Sequence, residues 1–124
     1  MILHTDITGQ GQPLVLIHGL FGSYENLGVI ARAMQHDFQV INVDLRNHGR
    51  SPRAENMDYP QMAADVFETL DSLNISQSAV LGHSMGGKVA MLLATTYPEL
   101  VSKLIVADIG PKYYAPHHQT ILAA

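Results

Sequence analysis

No cysteine occurs among the 124 residues, which excludes disulfide stapling, thiolate nucleophiles and cysteine-ligated metals. Runs of one charge are also missing. The formal net charge of −4 is spread along the chain, so no basic patch points to nucleic acid or to an anionic membrane. A small, roughly neutral substrate fits such a surface better. Met1 to Gly9 holds no basic patch leading into a long apolar run, and Leu14 to Ile17 is far too short to cross a bilayer. The expected location is therefore the cytoplasm. With no internal repeat or low-complexity segment, and 47% hydrophobic residues, one domain around one core is expected.

What is present alternates between strand-like and helix-like segments, the pattern of a parallel sheet with crossover helices. Leu14-Val15-Leu16-Ile17, between Pro13 and Gly19, reads as a strand buried on both faces. Phe38 to Leu45, Ala79 to Leu81 and Leu104 to Ala107 read as three more. Helical spacing joins Leu27, Ile30, Ala31 and Met34, and again Met62, Ala63, Val66, Phe67, Leu70 and Leu73. Gly86 to Tyr97 is apolar on most sides and should pack deep against the sheet before Pro98 closes it. Loops Gly19 to Glu25 and Arg46 to Asn56 follow carboxyl ends of strands, where open α/β sheets bind ligands. Ile121 to Ala124 reads as the opening of a helix, which would leave the strand at Leu104 to Ala107 as an open edge.

The most informative motif is Gly82-His83-Ser84-Met85-Gly86, followed by Gly87, at a strand-to-helix junction. A serine hydroxyl becomes a useful nucleophile when a sharp turn holds it out of the backbone toward a base. Glycines two residues to either side remove side chains that would collide in such a turn. A helix starting just after Ser84 also aims free N–H groups and its positive dipole end at a developing oxyanion, with Met85 N–H as the natural donor. Gly82, Gly87 and Lys88 match the spacing of a phosphate-binding loop too, but Val89 stands where that loop needs Ser or Thr for magnesium. The second oxyanion donor is expected from His18-Gly19-Leu20-Phe21-Gly22, either Leu20 or Phe21, with Phe21 preferred.

His18-Gly19, then Asp44-Leu45-Arg46-Asn47-His48-Gly49-Arg50-Ser51, then Gly82-His83-Ser84-Met85-Gly86-Gly87-Lys88 occur in an order that resembles the front half of an α/β-hydrolase fold enzyme. Asn47, where many relatives carry glycine, is similar to a branch of small bacterial esterases and acyl-thioester hydrolases. The resemblance implies an α/β fold with a mostly parallel sheet and crossover helices, represented by its N-terminal part. Residues 1–112 would form that part of the core, and 113–124 would begin a lid. It further implies hydrolysis of short acyl esters or acyl-CoA thioesters without a metal or organic cofactor. His18, Gly19, His83 and Tyr113 are the expected substrate-side residues, whereas Arg46 and His48 are expected to brace their loop.

A serine nucleophile needs a base with a pKa near neutrality, which is the chemistry of histidine. Of seven histidines, His18 and His83 belong to the motifs, and His4 and His36 lie on ordinary elements. His117 and His118 stand too soon after the fourth strand for the family's base, which lies near the far end of a longer chain. The expectation is a carboxy-terminal complement polypeptide that supplies the histidine. Asp108, ending the strand after the nucleophile strand, is the candidate acid, although most family members place it one strand later. Asp44 is a poorer one. Dehalogenases are disfavoured by serine at position 84, while serine-dependent carbon–carbon hydrolases, perhydrolases and a non-catalytic binding module stay open as alternatives.

Overall fold

A computed structural model describes residues 1–19 and 27–107, and the backbone of 119–123. Along the chain run β1 (Thr5–Thr8), β2 (Gln12–Ile17), α1 (Gly28–Met34), β3 (Phe38–Val43), α2 (Tyr59–Ser72), β4 (Ser78–His83), α3 (Met85–Thr96), β5 (Val101–Ala107) and β6 (Gln119–Ala123). They build one six-stranded sheet in the order β1-β3-β2-β4-β5-β6. The inner strands β3, β2, β4 and β5 are parallel, and β1 and β6 flank them antiparallel.

The short apolar runs become inner strands because both of their faces are covered. Val15 and Ile17 join one core cluster with Val66, Leu70, Val89 and Leu93 from α2 and α3. Leu14 and Leu16 point the other way, into a smaller cluster with Leu27, Val40 and Leu81. Strand alternation thus splits four consecutive apolar residues between two layers. Asp58 caps α2 by accepting from Gln61 N–H at 2.9 Å, and Pro60 follows in its first turn. The expected helix register holds for Met62, Ala63, Val66 and Leu70, all buried, whereas Leu73, the C-cap just beyond α2, is exposed.

Two expectations need correction. Gln119–Ala123 is a strand, not the start of a helix, and it pairs antiparallel with β5 from Lys103↔Ala123 to Ala107↔Gln119. A run of three or four apolar residues carries too little periodicity to separate helix from strand, and the unsatisfied edge of β5 decides for the strand. The edge at Leu104 to Ala107 is therefore closed. The second correction is that β3 stops at Val43, so Asp44 belongs to the loop that follows.

Candidate active site

Ser84 stands between β4 and α3 with φ 57° and ψ −118°, a conformation that L residues rarely adopt and that costs about 1–3 kcal/mol. Neighbours on both sides hold it there. Its N–H donates to Ala107 O at 2.9 Å, and its carbonyl accepts from Gly87 N–H at 2.9 Å. The flanking glycines make the turn possible by close approach. A Cβ on Gly82 would lie 2.2 Å from Gly86 O, and one on Gly86 would lie 2.2 Å from Ile17 O, the backbone of β2. The turn therefore exposes the Ser84 side chain while its backbone is locked between three strands and a helix.

Beside it, His18 and Gly19 follow the end of β2 at Ile17. A Cβ on Gly19 would sit 3.2 Å from Ser84 Cβ and 3.5 Å from His83 Nδ1, so the start of this loop lies against Ser84. Met85 is the first residue of α3, and its N–H has no intrahelical acceptor. Ser84, Met85, Tyr59, Lys88, Met91, Val106 and Ala107 line a pocket of about 400 Å³. A slightly larger cavity, about 460 Å³ around Phe67, Tyr97 and Leu100, contains none of the expected site residues.

His18 is fully buried. Its Nδ1 donates to Gly19 O at 2.7 Å and its Nε2 accepts from Leu45 N–H at 3.0 Å. Both ring nitrogens are taken by backbone, so His18 holds the loop start and offers no nitrogen to a substrate. Burial is the main cause that lowers its pKa below 6.5, which matches the neutral ring that these two bonds require. The His48 ring lies 5.0 Å away, with Nδ1 donating to Arg46 O. His83 is half-buried, and its Nδ1 is buried without a hydrogen-bond partner among the described residues. No hydrogen bond joins Ser84 to a histidine among them.

The loop after β3 is a brace, as expected for Arg46 and His48. Arg46 makes a bidentate pair with buried Asp65 on α2, at 2.6 and 2.8 Å, and its remaining nitrogen reaches Asn56 O. Asn47 has φ 65°, the left-handed region open to asparagine and glycine, and its Oδ1 accepts from Ala54 N–H. The buried Asp44 carboxylate takes Arg50 N–H at 3.1 Å. Asp44 lies two strands from Ser84, since β2 separates β3 from β4.

Leu20, Phe21, Asp108, Tyr113, His117 and His118 lie outside the described residues. The chain nevertheless leaves β5 at Ala107, the residue paired with His83 and bonded to Ser84 N–H. Tyr59, Lys88 and Met91 were not expected at the site. Only the four-residue step from Ser84 to Lys88 along one helix hinted at it.

Residues 12–124 match the alpha/beta hydrolase fold family. The chain belongs to that family. It is 49% identical over 113 residues to Esterase YbfF of Escherichia coli, covering 90% of this chain and 44% of that protein. A diacylglycerol lipase named sn-1-specific, ABHD11 of Xenopus laevis, is 48% identical over 108 residues, 86% of this chain and 35% of the lipase. Among solved structures, a marine microorganism esterase superposes with a TM-score of 0.85 at 46% identity, covering 92% of this chain and 44% of that one. The chain thus spans less than half the length of these relatives.

Proposed function

We propose that this α/β-hydrolase chain carries the nucleophile half of a serine hydrolase that cleaves short acyl esters or acyl-CoA thioesters through an acyl-Ser84 intermediate. The observation that carries the reading is Ser84 itself, exposed at the carboxyl end of β4 in a strained turn that opens α3. The names of the relatives support ester chemistry.

In this reading Ser84 Oγ attacks the acyl carbonyl while a histidine takes its proton. Met85 N–H and an N–H of Leu20 or Phe21 receive the oxyanion. The histidine then protonates the leaving group, and water repeats the sequence to release the acid. Asp108 orients the histidine, which a carboxy-terminal complement supplies. Cytoplasmic location belongs to the same reading; no helix among the described residues is long and apolar enough to cross a membrane.

A fluorophosphonate probe on the complete enzyme should add its mass to the peptide containing Ser84, and Ser84→Ala should abolish both labelling and ester hydrolysis. Labelling that persists in Ser84→Ala overturns the assignment. Asp108→Asn should slow acylation by orders of magnitude, and a loss of less than tenfold moves the acid to another residue.

A further inference from the structure

Among the described residues around the Ser84 pocket, Lys88 alone carries charge. It stands four residues beyond Ser84 on α3, so its side chain and the nucleophile border the same cavity. Met85, Met91 and Val106 give that cavity an apolar bed. Lys88 is exposed, and its Nζ lies 5.9 Å from the centroid of the Tyr59 ring at the start of α2. The carboxylates that form ion pairs among the described residues, Asp65 and Glu68, serve Arg46 and the Met1 ammonium instead. The ammonium is therefore steered by an aromatic face and keeps its charge uncompensated by any described carboxylate. The amino-terminal end of α3 adds positive potential at the same point.

We infer that Lys88, braced by Tyr59, selects substrates that carry an anionic group, carboxylate or phosphate, within reach of the acyl bond that Ser84 attacks. The inference rests on the serine-hydrolase reading and narrows it, among short acyl esters and thioesters, to those that carry an anionic group. The weakly acidic chain as a whole attracts no anion, so the selection is local to this pocket. The charge of Lys88 supplies it, and arginine would preserve it. A lysine that was merely solvated would treat charged and uncharged substrates alike.

Two matched pairs separate the sources of the anion, read as kcat/KM on the complete enzyme. p-Nitrophenyl hemiglutarate against p-nitrophenyl pentanoate places a carboxylate on the acyl side. S-acetyl phosphopantetheine against S-acetyl pantetheine places a phosphate on the leaving side. The wild type should prefer the anionic member of at least one pair, and added salt should shrink that preference. Lys88→Met should lower the anionic-to-neutral ratio by about fivefold or more, Lys88→Arg should keep it, and Tyr59→Leu should fall between. The ratio is taken on one preparation, so a partly unfolded variant still reports it. A ratio that Lys88→Met leaves unchanged in both pairs overturns the inference. Neutral-ester hydrolysis that survives Ser84→Ala would instead sink the underlying reading.

Discussion

At Ser84, stability and function pull in opposite directions. Its backbone angles suit glycine, which has no Cβ to clash there, so Ser84→Gly should raise stability by about 1 kcal/mol while removing the hydroxyl proposed as nucleophile. Ser84→Ala keeps the Cβ and should gain nothing. Urea unfolding of the three proteins checks this, and equal midpoints for Gly and Ala would show that the turn is unstrained. His18 gives a second test, through pH. Its folded pKa is held below 6.5, mainly by burial, and its Nε2 accepts a bond that protonation would break. The unfolded chain therefore takes up a proton first as pH falls. The His18 contribution is complete above about pH 6.5 and declines as pH drops from there through the folded pKa. A non-titrating His18→Gln should be less stable at pH 7.5 but lose less on going to pH 5.5, and parallel curves for the two proteins would reject the linkage.

Among elements, the pair between Arg46 and Asp65 ties the loop after β3 to α2 with both side chains buried. Removing one partner strands the other charge, so Asp65→Ala should cost about 3–5 kcal/mol, while Arg46→Met combined with Asp65→Leu should recover most of it. Denaturant midpoints of the single and double variants check this. Sequence foretold Arg46 as a brace but not its partner, because Asp65 lies on a helix where an acidic residue ordinarily faces water. The inner strands were legible for a simple reason: Leu14 to Ile17 is apolar at every position, as a strand covered on both faces must be. β1, reading Thr5-Asp6-Ile7-Thr8, has one apolar residue and pairs only as an edge, so no hydrophobic signal marked it. The turn at Ser84 was legible because its glycines are demanded by backbone contact. The place of Lys88 beside Ser84 was not, since a lysine one turn into a helix has the same sequence whether it faces solvent or a pocket.

Across the whole molecule, the sheet has one face packed by α2 and α3 and another that the described residues cover only in part. Leu14, Ala79, Leu81 and Ile105 from β2, β4 and β5, with Met34 and Phe38, line a groove of about 390 Å³ on that second face. α1 is short and contributes no fully buried residue of its own span. Apolar surface of this kind calls for cover, and the relatives have more than half their length outside the matched region. In the reading proposed above the base comes from that same region, since His18 is engaged by backbone and no described histidine bonds Ser84. Cover and catalysis should therefore arrive together. The chain alone should bind a hydrophobic dye and leave p-nitrophenyl acetate nearly untouched. Mixing it with a carboxy-terminal complement should displace the dye and restore hydrolysis, both saturating at one complement per chain. Ile105→Asp, at a half-buried position of the groove, should weaken the two effects in parallel by placing a charge there. If the chain by itself hydrolyses the ester rapidly, and His117→Ala or His118→Ala stops it, the base is local and the complement is unnecessary.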